Sequence, residues 1–356
     1  MKFGIFLLGA VFGDDDPGAA LHTAADAVLT AENAGFDEAW IAEHHFMSYG
    51  TCPSAITFAG HALGATNRIT VGTAVSVLST THPVALAEQT RMLDRLSGGR
   101  FTLGVGRGGP WVDLEVFGTG ADAHDHHFAE RLDLLLTSLT DDHVRGDGPS
   151  LTFREVPLTP PALTRPHPPV TVACTSDDTA ALAAERGLPM LLGMHASDDE
   201  KARMVAAHDR AATRTGSARH VAHTSTVVAH VGRDRASAVE ELRSSLPRWL
   251  GPGLAGYVPV DDRPRTPRDP VEYAEHLCRL HPVGDPAYCI DRLRTGIATT
   301  GIERVLMLVE GGGSRARTLA TIERLGAEVL PALRGSRPNP TRPTQQSRNS
   351  GLWFNN

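Results

Sequence analysis

Two adjacent histidines, His44 and His45, are the residues of this chain best suited to acid–base chemistry, and they lie in the run WIAEHHF. They close a segment, 37–44, whose apolar and aromatic residues predict a buried strand. Imidazole exchanges protons near neutral pH, so a histidine at a strand end is well placed for catalysis. Successive strand residues point to opposite faces, so only one of the two can face the interior. The alternative, that both are hydrogen-bonded scaffold residues, stays open from these residues alone.

Two further strand ends carry residues that suit a phosphate. The run GVGRGGP contains Gly106 and Arg107; glycine lets a backbone approach a ligand closely, and a guanidinium grips phosphate with two hydrogen bonds. The next strand ends in the run CTSDDT, residues 174–179, which leads straight into a helix whose free N–H groups and hydroxyls suit an anion. A tight turn and a plain helix cap are the alternatives. Neighbouring strands would let Arg107 and Ser176 reach one phosphate.

Two other chemistry-bearing patterns are weaker. The run His124-Asp125-His126-His127 looks like a metal cluster, but adjacent positions at a helix start spread these side chains around the axis. We therefore favour a surface or phosphate-facing role and predict no metal site. Cys174 is a candidate thiol, although a small buried residue at a strand end is the favoured interpretation.

Short β-rich runs alternate with amphipathic helical patterns along the chain, which is typical of a parallel sheet. The strands are predicted at 2–9, 37–44, 69–77, 101–106, 169–174, 188–193, 221–231 and 303–309. The helices include 18–34, 83–96, 124–140, 177–186, 197–214 and 233–249. Eight strand–helix units predict an α/β fold, a (β/α)8 TIM barrel whose active site lies at the carboxyl ends of the strands.

The barrel accounts for residues 1–334 as a single domain, with insertions after its fourth and seventh strands. We predict a small hairpin at 141–168 and a mobile lid at 250–285, where Gly, Pro, Arg and Asp are abundant. The tail, 335–356, is rich in Pro, Arg, Asn, Gln and Ser, so we expect it to be disordered.

Composition and charge exclude several function classes. The formal net charge is −7, and no basic block is present, so neither nucleic acid nor an anionic membrane is expected as a partner. No apolar run approaches the roughly 20 residues of a membrane span. The N-terminal run MKFGIFLLG meets Asp14 to Asp16 and predicts a strand, not a signal peptide. Four scattered cysteines without a C-x-x-C pair favour a reducing cytoplasm.

The chain resembles the bacterial luciferase family of flavin-dependent monooxygenases. The resemblance rests on these stretches, in order: MKFGIFLL, AGFDEAWIAEHHF, LGATNRITVGTAVSVLSTTHPVALAEQ, LDRLSGGRFTLGVGRG, EVFGT, RGLPMLLG, HPVGDPAYCIDRL and TTGIERVLMLVE. It implies a TIM-barrel subunit that binds reduced FMN, reacts it with O2 and oxygenates an organic substrate through a flavin C4a-hydroperoxide. It also implies association through helices beside the early strands, hence a homodimer.

The resemblance also implies roles for individual residues. His44 matches the catalytic histidine of the family, and His45 matches its supporting neighbour. The cofactor-binding positions are Ala74 and Val75, which match a non-prolyl cis peptide beneath the flavin ring, together with Gly106, Arg107, Cys174, Thr175, Ser176 and Thr179. Arg107, Ser176 and Thr179 are the phosphate-binding positions among them. Acidic positions near the flavin match Glu43, Glu88 and Asp113, and the expected substrate pocket comprises His45, Asp113, Met194 and Trp249.

Three departures from the family pattern point to altered specificity. Gly106 stands in place of a reactive cysteine, which should leave more room beside the flavin ring. A phosphate-contacting arginine is replaced near His126, and Met194 stands where the family has a tryptophan of the substrate pocket. A long-chain aldehyde therefore need not be the substrate. The excess of Arg over Lys suggests a GC-rich genome, in which this family often modifies natural products such as antibiotics.

The leading hypothesis is an FMNH2- and O2-dependent monooxygenase with a bulky or aromatic substrate. No separate dinucleotide-binding domain is predicted beside the barrel, so we expect a separate flavin reductase to supply the reduced cofactor. The alternatives are an F420-dependent oxidoreductase of the same fold, an aldehyde-oxidising luciferase-type subunit, and a non-catalytic partner subunit. The presence of both His44 and Arg107 argues against the last.

Overall fold

The computed structural model describes residues 1–217, 220–260 and 268–335, and within them the strands follow the predicted order. They are β1 (Lys2–Leu7), β2 (Glu38–Ile41), β3 (Thr70–Thr73), β4 (Ser76–Val77), β5 (Phe101–Gly106), β6 (His143–Asp147), β7 (Thr152–Pro157), β8 (Val170–Cys174), β9 (Met190–Leu192), β10 (Thr224–Val228), β11 (His230–Val231), β12 (Val283–Gly284) and β13 (Arg304–Leu308).

Eight parallel strands close into a barrel in the order β3-β2-β1-β13-β10-β9-β8-β5, and β5 pairs back onto β3. Each of these strands lies inside a segment predicted from the sequence. The predicted (β/α)8 TIM barrel is therefore confirmed. Because all eight strands run the same way, their carboxyl ends meet at one rim, where an active site belongs in this architecture.

Helices surround the barrel and bury its outer face in a large apolar core. They are α1 (Pro17–Asn33), α2 (Ala55–Ala65), α3 (Pro83–Ser97), α4 (Trp111–Val116), α5 (Gly120–Asp125), α6 (Phe128–Thr140), α7 (Asp177–Glu185), α8 (Asp198–Thr215), α9 (Arg235–Gly256), α10 (Pro270–Leu280), α11 (Pro286–Thr300), α12 (Arg315–Arg324) and α13 (Leu330–Arg334). None of the helices in the described part of the chain has both the length and the apolar character to cross a bilayer.

The structure corrects one predicted helix, 124–140. It is divided, because α5 ends at Asp125 and α6 begins at Phe128. The apolar period of the sequence is set by Phe128, Leu132, Leu135 and Leu139, which are buried, and it does not extend back through the histidines.

The segment 141–168 contains an antiparallel hairpin, β6 with β7. The chain that follows the hairpin is tied to α3 by Asp94, a fully buried carboxylate. Asp94 accepts hydrogen bonds from the backbone N–H groups of Leu163 (2.7 Å) and Thr164 (2.8 Å), and from the Thr164 hydroxyl (2.6 Å). The insertion is thus anchored where it re-enters the barrel.

Most of the described part of the predicted lid, 250–285, is helical. Helix α9 continues to Gly256 although Pro247 and Pro252 lie inside it, and α10 begins after Asp269, whose carboxylate caps its first turn. The Gly and Pro content suggested a loop, but buried Trp249 and Leu250 hold the last turns of α9 against the barrel. Residues 261–267 of this segment and the predicted tail beyond Gly335 lie outside the described residues.

The seam that closes the barrel depends on Thr73. Its hydroxyl donates to the carbonyl of Gly104 (2.7 Å) and accepts from the N–H of the same residue (3.0 Å). One side chain therefore satisfies both backbone groups of Gly104 at the point where β3 and β5 meet. A side chain at Gly104 would collide with the Thr73 carbonyl, so glycine is required there.

We predict that Thr73→Val destabilises the protein by about 2 kcal/mol or more, because it leaves the N–H and the carbonyl of Gly104 buried without partners. Urea unfolding followed by circular dichroism measures the change. Thr73→Ser keeps the hydroxyl and is the control, with a loss smaller by at least about 1 kcal/mol. Equal losses in the two variants would show that the hydroxyl does not support the seam.

Candidate active site

Buried apolar side chains pack together at the carboxyl end of the barrel, and we call the region they enclose the chamber. We call these side chains the inner cluster; it contains buried Phe6, Leu8, Trp40, Met194, Trp249 and Tyr273, with Tyr49, Ala74 and Val75 packed against it. Two predicted substrate-pocket residues, Met194 and Trp249, and the predicted flavin-ring residues therefore share one environment. A chamber lined in this way excludes water, which strengthens any electrostatic interaction inside it.

The bond between Ala74 and Val75 is a non-prolyl cis peptide, as the sequence predicted. Val75 faces Gly106, and a Cβ atom at Gly106 would lie 2.7 Å from Val75 Cγ2 and 3.4 Å from Ala173 Cβ. The expectation that Gly106 leaves extra room beside a ring is therefore wrong, because the Val75 side chain occupies that space. The two positions form one packing unit.

Arg107 follows β5 and lies at the edge of the chamber. Its guanidinium carbon is 5.1 Å from the centre of the Phe128 ring, and its Nε atom is buried without a hydrogen-bond partner among the described residues. Burial raises the pKa of the Cys174 thiol to about 12, and the charge of Arg107 opposes this shift. Arg107 and the end of β8 are thus neighbours, and Cys174 is an inert thiol.

The start of α7 presents the remaining predicted phosphate contacts. Ser176 caps the helix by accepting from the Thr179 N–H (3.3 Å), and the two hydroxyl oxygens lie 3.1 Å apart. Thr175 and Ser176 are exposed, and Thr179 is buried. Since β5 and β8 are paired, this helix start and Arg107 stand at adjacent strand ends. The arrangement offers a cation, hydroxyls and helix N–H groups to one anion.

His44 lies just past β2, with its ring edge-on to Tyr49 (centroids 5.2 Å apart) and Tyr257 (6.4 Å). The His44 ring also packs directly against the backbone of Gly50. Glycine is required there, since a Cβ atom at position 50 would lie 2.6 Å from His44 Nδ1. Burial, reinforced by the charge of His45, lowers the pKa of His44 to about 4. The ring is therefore neutral at neutral pH, and its Nδ1 atom has no hydrogen-bond partner within the described chain.

His45 lies in a different environment from its neighbour. Its ring meets Phe117 edge-on (4.8 Å), and its Nε2 atom is 3.8 Å from Glu43 Oε1. Nearby Asp113 is buried, and this burial raises its pKa to about 6; the charge of His45 lowers it and that of Glu43 raises it. The four predicted pocket residues thus divide into two groups, because His45 and Asp113 accompany Glu43 and not the inner cluster.

The remaining polar predictions lie apart from the chamber. Glu88 is exposed on α3, and His126 is exposed beyond α5. His124 and His127 lie near carboxylates of their own segment, Asp125 (2.6 Å) and Glu130 (3.4 Å). We therefore assign these four residues no part in the chamber.

Sequence reasoning missed the aromatic and backbone cover over His44. Tyr49 stacks on Trp249 (4.9 Å), which donates from Nε1 to the Tyr49 carbonyl (2.8 Å). The segment Tyr257–Val260, which we call the strap, crosses the loop after β5: Val260 N–H donates to the Gly109 carbonyl (2.9 Å), and Trp111 N–H donates to that of Val258 (3.0 Å). Tyr257 and Gly109 are in contact. The sequence signal was Gly109, where a Cβ atom would collide with the Tyr257 ring and hydroxyl, whereas Gly108 is required by its positive φ of 77°.

Within the described residues, one group of side chains could hold a metal ion: His208, Asp209 and His223. It lies at the start of β10, at the opposite end of the barrel from the chamber. Met190 N–H donates to His223 Nδ1 (3.1 Å), so the neutral ring carries its proton on Nε2. Coordination by Nε2 would remove that proton, and we therefore assign no metal to this group.

The family model for luciferase-like monooxygenases matches residues 1–304 of the chain. This protein belongs to that family. The resemblance inferred from the sequence motifs is thereby confirmed. A curated relative, the alkanal monooxygenase alpha chain of the Kryptophanaron alfredi symbiont, is 29% identical over 352 residues, covering 94% of this chain and 99% of the relative. The Photorhabdus luminescens alpha chain is 28% identical, with coverages of 94% and 97%.

Solved structures share the fold of this luciferase-like protein. Monooxygenase RslO1 from Streptomyces bottropensis superposes with a TM-score of 0.82 at 22% identity, over 94% of this chain and 100% of its own. The oxygenating constituent of 3,6-diketocamphane monooxygenase from Pseudomonas putida, solved with FMN, gives 0.73 at 17% identity, covering 93% and 98%. An F420-dependent secondary alcohol dehydrogenase, solved with an F420–acetone adduct, gives 0.71 at 19%, also covering 93% and 98%.

The packing unit of Val75 and Gly106 in this luciferase-like chain makes a double-mutant prediction. Gly106→Ala should destabilise the protein by about 1–3 kcal/mol, because the new Cβ meets Val75 Cγ2 in a packed interior. Val75→Ala removes that contact, so Gly106→Ala should cost at least about 1 kcal/mol less in the Val75→Ala background. Chemical denaturation of the wild type, both single variants and the double variant gives the coupling. Additive effects would contradict the packing unit.

Proposed function

We propose that this luciferase-like monooxygenase uses reduced FMN and O2 to oxygenate an organic substrate. The observation that carries the proposal is the juxtaposition, at one rim, of an anion site at Arg107 with a dry apolar chamber beside a neutral His44. An FMN-dependent oxygenase needs a grip on phosphate, an enclosed ring site and a group that exchanges protons. A natural product with an aromatic or bulky skeleton fits the apolar lining best.

The residues present fit FMN. The buried, unpartnered Nε of Arg107 and the helix start at Ser176 suit its phosphate. The cis peptide of Ala74 and Val75 would support the ring on one side, and Gly106, Cys174 and Thr175 would line the chain between ring and phosphate. When bound, the reduced flavin supplies the electrons that activate O2.

Arg107→Gln should weaken the binding of reduced FMN about tenfold to a hundredfold, since a charge-assisted contact to phosphate contributes about 1.5–3 kcal/mol. Riboflavin, which lacks the phosphate, is the matched ligand and should bind equally to both proteins. Anaerobic fluorescence or absorbance titration measures all four affinities. An FMN affinity that does not change with Arg107→Gln would refute the phosphate assignment.

We propose that His44 moves a proton beside the bound flavin. Its pKa of about 4, set by burial, keeps the ring neutral, so that one ring nitrogen can donate a hydrogen bond while the other accepts one. The free Nδ1 atom is the atom available for this transfer. His44→Asn with unchanged kcat on a substrate that the wild type oxygenates would refute the role.

We propose that the lid function predicted for 250–285 resides in the strap. Its hydrogen bonds to Gly109 and Trp111 place a cover over the loop that carries Arg107. Such a cover would exclude water from the chamber during the reaction with O2.

Val260→Pro should raise the fraction of reduced FMN that ends as H2O2 by about twofold or more while FMN affinity stays unchanged, because proline cannot donate to the Gly109 carbonyl. Peroxide is measured after O2 is mixed with the preformed complex in the presence of a substrate. Val260→Ala keeps the N–H donor and is the control. Equal peroxide yields from both variants and the wild type would end the lid assignment.

Three further proposals follow from the family and the surface. A separate reductase would supply reduced FMN, and the cytoplasm would provide the reducing setting. A homodimer would cover exposed Phe46, Met92 and Phe117, which line a cavity of about 800 Å³ between α2 and α3, together with exposed Leu96. Sedimentation of the purified protein at twice its chain mass would support the dimer, and a monomer would refute it.

The F420-dependent alternative remains distinguishable by cofactor preference. The shared fold with an F420-dependent dehydrogenase is the observation in its favour. Tighter binding of reduced F420 than of reduced FMN, with substrate reduction or oxidation that needs no O2, would favour hydride transfer.

A further inference from the structure

A second cavity, of about 470 Å³, lies beside the inner cluster and has no role so far. We call it the entrance cavity; it is lined by His195, Arg268, Asp269, Glu272, Tyr273, His276 and Arg279. Its residues come from the end of β9, through His195, and from α10 with the residues just before it. It is therefore built by the element that follows the strap along the chain.

The charged side chains of the entrance cavity differ in the partners that they already have within the protein. Asp269 is committed to α10, where its carboxylate accepts from the N–H groups of Val271 (2.8 Å) and Glu272 (2.9 Å). Arg279 has Glu275 at 3.9 Å as an ion-pair partner. The Arg268 guanidinium donates a hydrogen bond to the side chain of Tyr273. Arg268 and Glu272 are both exposed, so solvent reaches both charges.

Arg268 contacts the wall of the chamber at Tyr273. Its guanidinium carbon lies 4.8 Å from the centre of the Tyr273 ring, and Tyr273 is a buried member of the inner cluster. Burial raises the pKa values of Tyr49 and Tyr273, and the charge of Arg268 opposes both shifts. Burial also lowers the pKa of His195, and the charge of Arg268 adds to this effect. The guanidinium thus acts on the wall that the cavity shares with the chamber.

We propose that the entrance cavity binds the organic substrate as an oxyanion, an ionised phenol or enol, with Arg268 as its charge partner and Tyr273 as its aromatic wall. The identification of this ligand as the substrate rests on the proposed function. A guanidinium beside a flat aromatic surface suits a planar anion whose charge is delocalised into a ring. Ionised phenols and enols are electron-rich at carbon, which makes them reactive toward oxygen transfer.

The test uses the full chain without flavin and 4-nitrophenol, a phenol that ionises near neutral pH and turns yellow as it does so. The phenolate should bind at least about tenfold more tightly than 4-nitroanisole, which has the same ring and cannot ionise. Ionisation of the bound phenol should shift to lower pH by about one unit, which is the same tenfold effect. Absorbance titration at several pH values gives both quantities.

Substitutions at Arg268 and at Arg279 test whether the preference for the phenolate depends on Arg268 or on the cavity as a whole. Arg268→Gln should remove the tenfold preference and leave the affinity for 4-nitroanisole unchanged, which also verifies folding. Arg268→Lys should retain part of the preference, since it keeps the charge and loses the planar fork. Arg279→Gln is the matched control from the same cavity and should retain all of it.

The proposal is overturned by any of three results: no saturable binding of 4-nitrophenol to the wild type, equal affinities for the phenol and the anisole, or full preference in Arg268→Gln. No flavin is present in this assay, so failure of the FMN-dependent activity would leave its result intact. Conversely, loss of the phenolate preference would leave the Arg107 assignment untouched.

Discussion

The double hydrogen bond between the Thr73 hydroxyl and the backbone of Gly104 is the interaction on which the rest of the site depends. Between β3 and β5 the ladder is short, with partners only at Val71 and Phe101 and at Gly72 and Thr102. The Thr73 side chain extends the connection between β3 and β5 toward the carboxyl rim of the barrel. Beyond this seam β4 pairs with β5 at Ser76 and Val105 and at Val77 and Gly106, so the seam and this second ladder together hold Val75 against Gly106.

A closed seam has a chemical consequence, because it fixes the walls of a chamber that excludes water. Inside such a chamber a histidine loses its charge, which is the state of His44. The same burial leaves the Arg107 Nε without a partner at the chamber edge. A guanidinium keeps its charge in such surroundings whereas an imidazole does not. The proposed proton exchange and the proposed anion binding thus fall to different side chains at one rim.

The sequence predicted the barrel because each strand is a short apolar run bounded by turn residues, and the cis peptide because Ala74 and Val75 match a family motif. It failed where composition misleads or contacts are long-range. The Gly and Pro content after residue 250, including Pro252, suggested a loop, yet the burial of Trp249 and Leu250 keeps α9 helical to Gly256. The Val75 side chain fills the space that a side chain at position 106 would occupy. This could not be inferred from the sequence, since 31 positions separate the two residues. Tyr49 and Tyr257 could not be assigned because only folding brings them to His44.

The acidic net charge of −7 makes the placement of arginine informative. A chain that repels anions overall must collect positive charge wherever it binds one. Arg107 follows β5, while Arg268 precedes α10 and lines the entrance cavity. The two cations therefore belong to separate sites, one suited to a phosphate and the other to a planar oxyanion. The neutral, aromatic space around His44 is then the region where two anionic ligands can meet without bringing their charges together.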